Sequence, residues 1–247
     1  MIIAAAVTDK GKHRITNQDS VFCSVEPVGG LPSLFVVADG MGGEKAGDYA
    51  SSSFIDEFVR LIRSDGKSRN TLGILRHAVE NANLKLYMES CSDPDREGMG
   101  TTLVCAVVDY PDMLVANVGD SRLYLLSDTI KQITRDHSYV QEMVDKGLMH
   151  RDSSEYRDKK NFITRAIGIG MRVDEDYFDI RLNDGETVLI CSDGLTDMVD
   201  DSDILKIVRG ADSLQKAAEQ LVEAANANGG RDNISVVLFR NDSGGEK

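Results

Sequence analysis

The chain has no tryptophan, only four prolines and four cysteines, and an aromatic share of just 6%. Cys23, Cys91, Cys105 and Cys191 form no CxxC pair, and no His and Cys recur at zinc spacing, so a zinc finger or ribbon is excluded. Cys105 and Cys191 fall inside predicted strands. They read as small buried hydrophobes in a reducing cytosol, not as disulfides. No apolar run approaches the ~20 residues that a membrane span needs; TTLVCAVV (101–108) is among the longest. The opening MIIAAAVTDKGKHR lacks the basic start of a secretory signal. Positive charge is scarce as well: 28 Lys and Arg face 41 Asp and Glu, a net charge of −13. A field of that sign repels nucleic acid and anionic membranes, so neither is an expected partner. A cytoplasmic, monomeric protein is the expectation.

What is present is an ordinary globular composition, 41% hydrophobic and 28% charged, with no break that marks a second domain. One domain is expected over 1–240, with a flexible tail at 241–247. Strand-like segments occur near 2–8, 20–26, 33–38, 101–109, 112–118, 121–126, 129–133, 176–182, 186–191 and 233–239. Two helices are expected over 46–63 and 71–91. Phe54, Phe58, Leu61 and Ile62 line the inner face of the first; Leu72, Leu75, Val79, Ala82 and Leu86 line that of the second. DGKSRN (65–70) is the turn between them, SDPDREG (92–98) a polar loop, and a third helix covers 214–226. Residues 137–161 are charged and weakly apolar, with one short helix at 140–146; an excursion of that length reads as a lid or flap, or else as a decorative insertion. The short gaps between 101–109, 112–118 and 121–126 demand hairpins. The fold class is therefore α+β: a β-sandwich of two antiparallel sheets flanked by α-helices.

Three apolar runs end in an aspartate beside glycine: VVADG (36–40), VANVGD (115–120) and VLICSDG (188–194). In GGRDNISVVLF (229–239) Asp232 precedes its run instead. If that strand runs antiparallel to the others, all four carboxylates reach one rim. Two carboxylates ~4 Å apart repel by about 4 kcal/mol at an effective dielectric of 20, so such a cluster asks for cations. Any one Asp-Gly pair is an ordinary turn signal; the coincidence of four sites carries the argument. Carboxylates, carbonyls and water are hard ligands that suit Mg²⁺ or Mn²⁺. The glycines of GMGG (40–43) let a backbone carbonyl approach an ion. DGLTDMVDDSD (193–203) lacks the alternating acids, sixth-position Gly and terminal Glu of a calcium EF-hand. No DxD pair follows a strand, so an aspartyl nucleophile is not supported. Lys10, Lys12, His13 and Arg14 reverse the charge locally, and the lysines also read as a solvated basic turn.

RITNQDS (14–20), VVADGMGG (36–43), GMGTT (98–102), VGDSRLY (118–124), CSDGLTD (191–197) and GGRDNISVV (229–237) follow one another in this order. With these motifs the chain resembles the metal-dependent serine/threonine protein phosphatases of type 2C, in their bacterial single-domain form, from about Ile3 to Phe239. The resemblance implies four layers, helix, sheet, sheet, helix. It implies Mn²⁺ or Mg²⁺ as cofactor, two ions plus a weaker third. Asp39 would bridge two ions and the Gly40 carbonyl would bind one; Asp193 and Asp232 would hold the other, with Asp19 reaching the cluster through water. Asp120 would hold the third ion with Asp193, and Arg14 would clamp the substrate phosphate. Asn161 either falls near that third site or, like Arg165, anchors the flap.

The implied reaction is hydrolysis of phosphoserine and phosphothreonine on proteins by a water that two cations have deprotonated. It would reverse a bacterial Ser/Thr kinase and needs no phosphoenzyme. Cys191, two residues before an aspartate in anionic surroundings, is no candidate nucleophile. Two positions depart from the family. Met41 stands where many eukaryotic relatives have a His proposed as general acid, and Gln18 stands where Glu is common. His13 and His137 are conceivable proton donors or surface histidines. A small-molecule phosphomonoesterase and a catalytically silent binding module of the same fold are the alternatives.

Overall fold

The computed structural model describes residues 1–43, 46–65 and 70–242. Two antiparallel sheets form it. The first runs in the order β1 (Ile2–Asp9), β11 (Ile234–Asn241), β10 (Thr187–Cys191), β7 (Arg122–Leu126) and β8 (Ile130–Gln132). The second runs β2 (Asp19–Ser24), β3 (Leu34–Met41), β5 (Leu103–Asp109), β6 (Asp112–Val118) and β9 (Asp176–Arg181), with β4 (Gly100–Thr101) also paired to β3. Helices α1 (Gly47–Asp65) and α2 (Thr71–Ser92) cover the second sheet; α6 (Asp201–Gly210) and α7 (Leu214–Ala227) cover the first. Among the described residues no helix is long and apolar enough to cross a membrane.

Strand parity explains the layers. In β3, Phe35 and Val37 face the space between the sheets, while Leu34, Val36 and Ala38 face α1 and α2. Both faces are buried, so the strand reads as a continuous apolar run. Across the gap Val188, Ile190, Val237 and Phe239 complete the central layer, and Phe35 stacks on Phe239 with centroids 4.1 Å apart. Helix α1 buries Phe54, Phe58 and Ile62 as expected, and α2 buries Leu75, Val79, Ala82 and Leu86; Leu61 and Leu72 stay at the margin.

Several expectations need correction. Only the gap between β5 and β6 is a hairpin of the kind anticipated; from β6 to β7 the chain leaves one sheet for the other. Gly119, at φ +104°, makes that crossing. The excursion after 137 holds two short helices, α3 (Tyr139–Asp145) and α4 (Ser154–Lys159), where one was expected. Helix α6 and the one-turn α5 (Asp193–Thr196) were not anticipated. At the C-terminus, strand β11 includes Asn241, and the Asp242 N–H donates to the Met1 carbonyl at 2.7 Å. The expected tail therefore does not begin at 241; its remainder, 243–247, and most of the 65–70 turn lie outside the described residues.

Candidate active site

The same parity that builds the central apolar layer places polar side chains at its end. Asp39 follows Phe35 and Val37 on the inner face of β3, and Asp19 follows the same face of β2, directly opposite Asp39 in register. Strand β11 runs antiparallel to β10, so Asp232, before the one, meets Asp193, after the other. The Gly119 crossing brings Asp120 to this rim. Arg14, Asp39, Gly40, Asp120, Asp193 and Asp232 line one cavity of about 500 Å³, together with His13, Gln18, Met41, Thr102, Asn161 and Asn233. Asp19 is not on its wall. It lies behind, 7% exposed, with Oδ2 accepting from the Ser192 hydroxyl at 2.7 Å.

The electrostatics are those of a crowded anion cluster. Burial pushes the Asp19 carboxyl up to about 6. Burial, then the charge of Asp136, pushes Asp120 up to about 7. Asp39 is held well above the carboxylate range by burial and then by Asp19, Asp193, Asp120 and Asp232. Asp193 is raised likewise, by burial and then by Asp120, Asp197, Asp232 and Asp19. Burial disfavours the charged form and like charges reinforce it. Two buried carboxylate oxygens, Asp19 Oδ1 and Asp193 Oδ1, have no hydrogen-bond partner. Unpaired anionic oxygens among like charges fit a hard cation. Among the described residues no three Asp, Glu, His or Cys side chains close on one common point.

The backbone around Asp39 is fixed on both sides. Its N–H donates to Thr102 Oγ1 at 2.9 Å, and its carbonyl accepts from Thr102 N–H at 2.8 Å and Thr101 Oγ1 at 2.9 Å. At Gly40 a Cβ would sit 1.9 Å from the Gly47 carbonyl oxygen, so only glycine fits. Asn233 fixes the Arg14 segment. Its Oδ1 accepts from the Gln18 N–H at 2.8 Å, and its Nδ2 donates to the Lys10 and Thr16 carbonyls, each at 2.9 Å. Neither Thr102 nor Asn233 was singled out from sequence, although both stand inside the recognised motifs. The exposed Arg14 guanidinium lies 2.7 Å from Asp232 Oδ2, a bond that raises its pKa further.

Of the histidines, His13 lines the cavity and His137 does not: it is buried and fully bonded, which removes it as a proton donor and as a surface residue. Asn161 is on the cavity wall, whereas Arg165 pairs with Asp176 at 2.9 Å. Cys191 is buried, and burial pushes its thiol far up.

A rim of this kind, with four carboxylates, one accessible arginine and no nucleophilic thiol among the described residues, suits hydrolysis of a phosphate ester. The chain belongs to the protein phosphatase 2C family, which it matches over residues 10–238. It is 36% identical over 245 residues to the serine/threonine phosphatase stp of Listeria monocytogenes, across 95% of this chain and 94% of that protein. The crystal structure of Stp1 from Staphylococcus aureus superposes with a TM-score of 0.91 at 33% identity, covering 98% of this chain and 96% of that one. The catalytic domain of PstP, solved in complex with two manganese ions, gives a TM-score of 0.83 at 34% identity over 96% of this chain and 97% of that one. The chain is thus a metal-dependent serine/threonine protein phosphatase, and its substrates are phosphoproteins.

Proposed function

We propose that Asp39, the Gly40 carbonyl, Asp193 and Asp232 hold two Mn²⁺ or Mg²⁺ ions, with Asp19 behind them through water and Asp120 on a weaker third. The observation that carries this reading is the pair of orphaned buried oxygens on Asp19 and Asp193 beside the raised carboxyl of Asp39. Bound divalent cations supply Lewis acidity, which turns water into a nucleophile near neutral pH. The chain's own residues do the rest. Arg14 sits at the cavity mouth, where its planar fork can meet two phosphate oxygens at once and balance their charge. Asn233 holds the segment that presents it, and Thr101 and Thr102 hold the backbone that presents Asp39. Among the described residues, His13 is the imidazole on the wall, where general-acid help to a leaving serine oxygen would have to come from.

On this reading the protein acts in the cytoplasm as a monomer, in signalling, and reverses a cognate Ser/Thr kinase. Asp39→Asn tests the assignment. Removing one carboxylate charge should abolish Mn²⁺-dependent hydrolysis of a phosphothreonine peptide and weaken Mn²⁺ binding in a calorimetric titration, with the fold intact by circular dichroism. Wild-type Mn²⁺ affinity in that variant would refute the ligand set.

A further inference from the structure

His137 stands where the flap leaves the core, and both its backbone groups and both its ring nitrogens are occupied. The backbone N–H donates to the Gly119 carbonyl at 2.8 Å, and the carbonyl accepts from the Thr164 N–H at 2.7 Å. Nδ1 accepts from the Gly119 N–H at 3.1 Å, and Nε2 lies 3.2 Å from Asp176 Oδ2. The first ring contact sets the tautomer. A nitrogen that accepts carries no proton, so the ring hydrogen sits on Nε2 and points to Asp176. Arg165 Nη1 is 3.3 Å from Nε2, donor against donor, and is used instead by Asp176 Oδ1 at 2.9 Å.

Gly119 is therefore gripped at its N–H and its carbonyl by a single residue. On its other side there is no slack: a Cβ at Gly119 would come 2.6 Å from Thr102 Cγ2. Thr102 is the residue that accepts the Asp39 N–H. The turn that carries Asp120 is wedged between the clamp on Asp39 and a histidine that also receives the returning end of the flap, where Ser138 bridges Ile163.

We propose that His137 is a positioning residue for Asp120: its Nδ1 contact with Gly119 sets where the Asp120 carboxylate enters the cavity. Its Nε2 contact with Asp176 ties that placement to the start of β9. The inference rests on the assignment of Asp120 to the weaker ion. A histidine that merely filled space could be replaced by any side chain of its volume, but an acceptor at the Nδ1 position could not.

His137→Leu keeps bulk and loses both bonds; His137→Asn keeps an acceptor near the Nδ1 position and loses only Asp176. Asp120→Ala is the comparator. With a phosphothreonine peptide, His137→Leu should lower kcat about tenfold, as loss of a contact that orients a ligand does, and leave KM nearly unchanged. The weak phase of a calorimetric Mn²⁺ titration should fade with it. His137→Asn should recover most of both losses. Wild-type kcat in His137→Leu, or no recovery in His137→Asn, overturns the proposal. If His137→Leu does not melt cooperatively, His137→Asn decides alone: near-wild-type kcat supports the proposal, and a loss equal to that of Asp120→Ala overturns it. Should Asp120→Ala itself turn over like the wild type, the assignment of Asp120 fails and this one with it; if it is slow while His137→Leu is not, only the positioning claim falls.

Discussion

Arg14 keeps about half of its side chain in solvent, and Asp232, its ion-pair partner among the described residues, is itself part of the acidic wall. A guanidinium so placed can reach an incoming phosphate without leaving that wall. Arg14→Ala should raise KM for a phosphothreonine peptide while Mn²⁺ affinity survives; steady-state kinetics beside calorimetry separate the two, and unchanged kinetics would refute the clamp. Asn233 makes a second, independent prediction. Asn233→Asp sets a carboxylate oxygen against the Lys10 and Thr16 carbonyls, so two donated bonds become repulsions. The loss should be about 1–3 kcal/mol in urea unfolding, and KM should rise in the direction seen for Arg14→Ala. Asp39, Asp120, Asp193 and Asp232 stood out in sequence because acids beside apolar runs are conspicuous, whereas Arg14 and Asp19 were singled out through the family motif RITNQDS. Asn233, Thr102 and His137 were not: they act through backbone groups of segments distant in the chain, and a lone short polar residue or a lone histidine has many bland explanations.

At the scale of elements, β3 does most of the placing. Its parity sends Asp39 into the gap between the sheets, and Gly40 lets α1 and the Gln18 carbonyl approach the backbone beyond it. Gly40→Ala would drive its Cβ into the Gly47 carbonyl, so the strand end must shift. We expect a lower melting temperature together with weaker Mn²⁺ binding, read by calorimetry; a variant with both unchanged would show that the close approach is not needed. The sandwich and its helix pair could be read from periodicity, since 3.6-residue and two-residue repeats are imposed by burial on one or both faces. The crossing from β6 to β7 could not. A two-residue gap spells a hairpin in sequence, and only the left-handed Gly119 against Thr102 turns it into a change of sheet. That misreading concerns the very turn that delivers Asp120. Helix α6 escaped for a different reason: it buries only Ile204 fully, so its apolar stripe is short among acidic residues.

For the whole molecule, whose net charge is −13, the carboxyl groups gathered at this one rim are the ones that resist ionisation. The sign of the pH dependence follows. Asp19 and Asp120 move from the ordinary 3.8 up to about 6 and about 7 in the folded state. Their neutral forms stabilise the fold fully below pH ~4, and that stability is lost as pH rises through about 6 to 7. A cation that binds the ionised forms offsets the loss. The gain in melting temperature on adding Mn²⁺ should therefore grow steadily between pH 5 and about 7.5. A gain independent of pH over that window would mean that the cluster is not where the ion binds.

The central claim is that this rim works only with hard cations in place. Phosphate release from a phosphothreonine peptide, followed before and after exhaustive chelation and then on return of Mn²⁺, tests it most directly. The account predicts a rate that falls to background in the stripped protein and returns as Mn²⁺ is added. A stripped protein that still releases phosphate at the original rate would contradict it.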